Sequence, residues 1–269
     1  MSIRIFKICV NKLHAKKINI LRIIFNILIL SSFILLHASC NNPEEPPPKD
    51  SVEVAISNGI LPLKVGYYWK YQNYYLKADT SISGEGRTEE YKINKLSTTI
   101  YSNENYSVFH RIWGYFNTSM GHYIYAADEW FFRNFNDGLY QMGGKVNDDS
   151  IYTKLLWYKY PVQKGETWES PDLVYNTLTN NFFINDSTTY TCTDSNVVFK
   201  TPLGNFSCIV YYHREIDNEG DVISITDIYD YYLPNLGLVG EITYGYDKYS
   251  QRSWPIMKKV LIETNVNLN

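Results

Sequence analysis

From residue 52 onward, apolar and polar side chains alternate in short runs, broken at close intervals by turn-forming clusters. These are Ser83-Gly84-Glu85-Gly86, Asn136-Asp137-Gly138, Gly143-Gly144, Asp194-Ser195-Asn196, Pro202-Leu203-Gly204-Asn205 and Asp217-Asn218-Glu219-Gly220. Period-two alternation with frequent turns, and no long 3.6-residue stripe, predicts an all-β domain built as a curved antiparallel sheet, a half-barrel or open sandwich. The clearest hairpin joins Asn205–Ile216 to Val222–Tyr232 through the loop 217–221. Pairing Ile216 with Val222 puts Ile209, Tyr211, His213, Ile223, Ile225, Asp227, Tyr229 and Tyr231 on one face, and sets Asp227 diagonally beside His213.

A spacing recurs within this body. Pro62-x-x-x-Gly66-x-x-Trp69 returns as Pro161-x-x-x-Gly165-x-x-Trp168. Proline fixes the entering backbone, glycine permits a left-handed turn, and tryptophan plugs a core as the strand begins. The repeat predicts two related halves, near residues 60–158 and 159–265.

The first 39 residues follow another pattern. Six basic side chains (Arg4, Lys7, Lys12, Lys16, Lys17, Arg22) and no acidic one precede an apolar block, Ile23 to Leu36. Basic, then apolar, then small is the order of a secretory signal peptide. The block is shorter than the roughly 20 residues a spanning helix needs, although an uncleaved anchor is the alternative. Leu36-His37-Ala38-Ser39-Cys40 resembles a bacterial lipobox, with His37 where leucine is usual. The resemblance implies cleavage between Ser39 and Cys40, diacylglycerol on the Cys40 sulfur, and passage through lipoprotein export machinery. At ~0.8 kcal/mol per buried methylene, two or three acyl chains give stable anchoring in a bilayer. Residues 40–51 hold four prolines and no large apolar side chain, and form a semi-rigid tether. The chain therefore divides into a signal helix (1–39), a lipidated tether (40–51) and a β domain (52–269). Glu44-Glu45 resembles the export tag of Gram-negative surface lipoproteins, which implies an outer-membrane address, facing either outward or the periplasm.

Charge narrows the partners. With the six leader cations removed, 19 basic residues face 28 acidic ones, a net charge of −9. That balance argues against nucleic acid and against docking of the protein surface on anionic lipid. Cys192 and Cys208 remain as thiols in an oxidising compartment. With Cys208 placed opposite Phe199, the strand geometry favours two buried thiols over a disulfide.

Three segments carry a further resemblance. Leu61-Pro62-Leu63-Lys64-Val65-Gly66-Tyr67-Tyr68-Trp69-Lys70-Tyr71, Thr201-Pro202-Leu203-Gly204-Asn205-Phe206-Ser207-Cys208 and Tyr231-Tyr232-Leu233-Pro234-Asn235-Leu236-Gly237-Leu238-Val239 look like the PLxVGNxWxY, TPxGxFxC and YYxPxxGLV segments of uncharacterised secreted bacterial lipoproteins. The resemblance implies a curved antiparallel sheet similar to lipoprotein-carrier half-barrels, and transfers no catalytic residue.

Chemistry-bearing motifs are scarce. His110, His122 and His213 lack zinc-pair spacing, there is no nucleophile elbow or phosphate loop, and Asp217-Asn218-Glu219-Gly220-Asp221 has glycine and its twelfth residue wrong for a calcium loop. The acidic runs Asn147-Asp148-Asp149 and Glu89-Glu90 read as solvated loops rather than cation sites. No cofactor is expected. His213 and Asp227 form the one pair suited to acid–base work, as a hydrolase would need. The aromatic excess, 25 tyrosines and 6 tryptophans, offers a stacking platform, with Trp157, Tyr160, Tyr249 and Trp254 as candidates. The preferred expectation is a non-catalytic envelope lipoprotein with a binding or assembly role. A solvent-facing aromatic row would favour a glycan, an apolar cavity an acyl ligand, and a serine or cysteine beside His213 an enzyme.

Overall fold

The computed structural model describes residues 59–267 apart from 127, 147–148, 177–180, 220–221 and 248–249. Ser39, Cys40, the tether and Tyr249 lie outside the described residues. The described chain is all β, in thirteen strands: β1 (Tyr68–Leu76), β2 (Ile82–Tyr101), β3 (Glu104–Asn117), β4 (His122–Tyr125), β5 (Asp128–Phe135), β6 (Gly138–Val146), β7 (Asp149–Lys159), β8 (Thr167–Asn176), β9 (Asn181–Thr201), β10 (Gly204–Glu219), β11 (Val222–Leu233), β12 (Gly237–Asp247) and β13 (Arg252–Thr264).

All thirteen belong to one antiparallel sheet, ordered β7-β6-β5-β3-β2-β1-β13-β12-β11-β10-β9-β8, with β4 paired to β3. Two six-strand meanders thus run in succession, joined by the β1–β13 ladder. The sheet curls until its free ends, β7 and β8, approach one another. That seam is bridged by side chains, with the Trp168 indole N–H donating to the Trp157 carbonyl at 3.3 Å and Lys159 paired to Glu166. A nearly closed barrel results, with hydrogen-bonded strands everywhere except at this seam.

The Pro–Gly–Trp segments form matching turns. Gly66 N–H donates to Ile93 O at 2.8 Å, Ile93 N–H to Tyr67 O at 2.9 Å and Tyr67 N–H to Lys64 O at 3.0 Å. With every residue shifted by 99, Gly165 N–H donates to Cys192 O at 2.7 Å, Cys192 N–H to Glu166 O at 2.9 Å and Glu166 N–H to Gln163 O at 3.1 Å. Both glycines have left-handed backbones, φ 94° and 85°, which a side chain would strain.

The hairpin β10–β11 departs from the expected register. Its strands run on to Glu219 and from Val222, which pair with one another. Ile216 therefore pairs with Ile225, His213 with Ile228 and Arg214 with Asp227. The slip is three residues, an odd number, so it exchanges the faces of β11. A shorter shift affects β9–β10, where Thr201 pairs with Gly204, and Cys208 therefore faces Val197 rather than Phe199. Both thiols are buried and free.

Inward-facing residues change character along the strands, always in the same direction. Trp69 and Tyr71 precede Asn73 on β1, Ile209 and Tyr211 precede His213 on β10, Tyr232 is two positions from Asp230, Val239 from Glu241, and Leu261 from Lys259. One end of the barrel is therefore packed solid, around Trp69, Tyr211 and Tyr232 and closed by Ile60, Leu61 and Leu63. The other end is polar and open.

Candidate functional site

The polar end forms a cleft of about 590 Å³ that adjoins a second of about 550 Å³, each within the size range of small-molecule sites. Arg111 and Trp130 line both. The wall from the first meander presents Trp130, Trp157 and Tyr158 beside Arg111, and the wall from the second presents His213, Glu215, Asp230 and Glu241 beside Tyr190. Register explains the contrast. Ile93 pairs with Arg111, which pairs with Trp130; at the equivalent place in the second meander Cys192 pairs with Tyr211, which pairs with Asp230. Equivalent inward positions thus carry cation and indole in one half, phenol and carboxylate in the other.

Most charges here are held by one another. Buried Lys259 reaches Glu89 at 3.4 Å and Glu241 at 3.3 Å. Glu89 also accepts from Arg87 at 2.8 Å and from the Asn73 amide at 3.0 Å. Burial opposes the Lys259 ammonium, but Tyr91, Glu241 and Glu89 outweigh it and hold its pKa well above the ordinary lysine value. Burial works the same way against Glu89, whose pKa nevertheless falls because Lys259 and Arg87 favour the carboxylate.

The second cluster centres on His213. Its Nδ1 lies 3.6 Å from Asp230 Oδ2 and its Nε2 3.5 Å from Glu215 Oε1, while the Tyr158 hydroxyl donates to Asp230 Oδ2 at 2.6 Å. Burial pushes the Asp230 carboxyl up to about 6 despite His213. Burial would lower the His213 pKa, but Glu215 and Asp230 together raise it. The charge of each group thus favours the charged form of the other. Two buried polar atoms lining the clefts, Asn73 Oδ1 and His213 Nδ1, have no hydrogen-bond partner among the described residues.

The expected pairing of His213 with Asp227 is corrected. Asp227 lies on the opposite face, where it accepts from Arg214 at 2.7 and 3.1 Å and from the Tyr212 hydroxyl at 2.8 Å. Asp230 is the carboxylate that shares a face with His213. Of the aromatic candidates, Trp157 lines the cleft, Tyr160 packs against the core cluster, and Trp254, 45% exposed, lies across Gly245 of the neighbouring strand. Glu89 faces the cleft, and its neighbour Glu90 accepts a hydrogen bond from Tyr125 instead.

Another polar chain had no signal in the sequence spacing. The Ser97 hydroxyl lies 2.6 Å from His110 Nε2, and His110 Nδ1 lies 2.6 Å from Glu129 Oε2. The carboxylate can only accept, so Nδ1 carries the proton and Nε2 accepts from Ser97. Burial lowers the His110 pKa and keeps the ring neutral, packed 4.3 Å from the Phe131 centroid. These residues sit on β2, β3 and β5, and none of them is among the residues that line the two clefts, although His110 and Glu129 directly precede Arg111 and Trp130. The arrangement satisfies both nitrogens of a buried imidazole and ties three strands together.

No protein-family model and no curated protein matches this chain. Two solved structures are similar to it, each over 77% of this chain and 99% of their own: a candidate lipoprotein from Parabacteroides distasonis, 16% identical with a TM-score of 0.46, and a candidate exported protein with a YmcC-like fold from Bacteroides fragilis, 12% identical with a TM-score of 0.46.

Proposed function

We propose that this chain is a lipid-anchored envelope protein, tethered through Cys40 to the outer membrane of a Gram-negative bacterium, whose barrel binds a small saccharide without transforming it. One observation carries the binding half: a concave cleft with indoles on one wall and hydrogen-bonding acids and histidine on the other. Indole faces suit the apolar faces of sugar rings, and carboxylates and imidazole suit hydroxyls. The orphaned atoms of Asn73 and His213 add sites that a polar ligand would satisfy. An acyl chain in the same cleft would take Glu215, Asp230 and Glu241 out of water without adding a hydrogen bond to any of them. The anchoring half rests on the basic, apolar and small order that ends at Cys40.

Titrating the mature protein in detergent micelles with neutral and acidic oligosaccharides should quench or shift tryptophan fluorescence saturably. Trp157→Ala should weaken binding roughly tenfold, the worth of about 1.4 kcal/mol of stacking. Silence across the whole panel would refute the saccharide reading. For the anchor, the wild-type protein should sediment with membranes and carry acyl mass on its first residue, whereas Cys40→Ala should lose that mass. A wild-type chain that begins at Met1 without lipid would overturn it.

A further inference from the structure

Arg111 is the exception among the cations of the cleft. Lys259 and Arg87 each have carboxylate partners within 3.4 Å, and His213 stands between Glu215 and Asp230. The Arg111 guanidinium instead lies over three rings, 4.4 Å from the Phe132 centroid, 5.0 Å from Tyr91 and 5.1 Å from Trp157, and among the described residues it has neither a hydrogen bond nor an ion pair. Rings stacked on a guanidinium fix its plane while leaving its five in-plane N–H donors for an acceptor. The equivalent position in the second meander is Tyr211, fully buried and bonded through its hydroxyl to Lys159 O at 2.8 Å. An aromatic side chain completes the core there, so arginine at this place in the first meander is not what packing requires.

We propose that Arg111 is the anion anchor of the cleft, so that the preferred ligand is a saccharide bearing a carboxylate or sulfate group held edge-on by the guanidinium. This rests on the saccharide-binding reading above. The carboxylates nearby do not exclude such a ligand. Glu241 is held by Lys259, and Asp230 accepts from Tyr158 in a buried setting that disfavours its charge. A planar carboxylate would take two parallel N–H bonds, and a sulfate would take the same pair on two of its oxygens.

Isothermal titration with di- and trigalacturonate, their neutral galactose counterparts and a sulfated galactose disaccharide separates these cases. The wild-type mature protein should bind at least one acidic series roughly 10- to 100-fold more tightly than the neutral one. Arg111→Gln should erase that preference, so that acidic and neutral sugars bind with equal affinity whatever their common level, and Arg111→Lys, which keeps the charge but loses the fork, should restore only part of it. Thermal melts of both variants verify that the fold persists. Equal wild-type affinity for acidic and neutral sugars, or a preference that survives in Arg111→Gln, would overturn the anchor while leaving the saccharide site standing. No binding by any series would remove both. Which acidic series binds tells carboxylate from sulfate.

Discussion

Replacing Lys259 with methionine is expected to destabilise the barrel by about 3 kcal/mol, at the lower end of the cost of breaking a buried charge network from one side. The residue is only 9% exposed, and its ammonium is the shared partner of Glu89 and Glu241. Methionine fills much the same volume, so the loss comes from two carboxylates left without their cation rather than from a cavity. Arg87 and Asn73 still serve Glu89, and Thr243 still donates to Glu241 at 3.2 Å, which keeps the cost from going higher. The triple variant Lys259→Met, Glu89→Gln, Glu241→Gln should recover most of the loss, because no uncompensated charge then remains inside. Urea midpoints at constant m-value report both changes. A triple variant no more stable than the single one would mean that packing of the lysine stem, not charge pairing, holds this part of the wall.

The strand content was legible because alternation and turn chemistry are local. Tyr67 to Tyr71 alternate outward and inward around Trp69, and the Pro–Gly–Trp spacing coincides with two turns whose hydrogen bonds match residue for residue. The cleft was not legible, because it depends on which face each strand turns inward. A register three residues from the expected one moved Asp227 outward and brought Asp230 inward beside His213. A usable signal was nevertheless present in pairs such as Tyr211 and His213, Asp230 and Tyr232, or Lys259 and Leu261. In each an apolar residue and a polar one stand two apart on the same face, which marks where a packed core gives way to a site. Arg111 and the chain Ser97–His110–Glu129 are assembled across three strands, and no spacing within one segment announces them.

Trp69→Ala is expected to cost about 3–5 kcal/mol, the largest single loss in the domain. The indole is 1% exposed at the packed end, and its N–H donates to Leu236 O at 2.6 Å across to the turn between β11 and β12. Alanine would leave both a cavity and a buried carbonyl without its donor, and these penalties add. Trp168, which occupies the matching place after the second turn, is only partly buried. It stacks on Tyr190 at 5.6 Å and donates a longer bond, 3.3 Å, to Trp157 O at the unladdered seam. Trp168→Ala should therefore cost closer to 1–2 kcal/mol, and its effect should appear first as faster amide exchange along β7 and β8, where no ladder joins the strands. Denaturant unfolding of the two variants side by side gives the ranking. If Trp168→Ala proved as damaging as Trp69→Ala, the seam between β7 and β8 would have to contribute as much to the barrel as the hydrogen-bonded junction between β1 and β13, and the packed end could no longer be assigned the larger share of its stability.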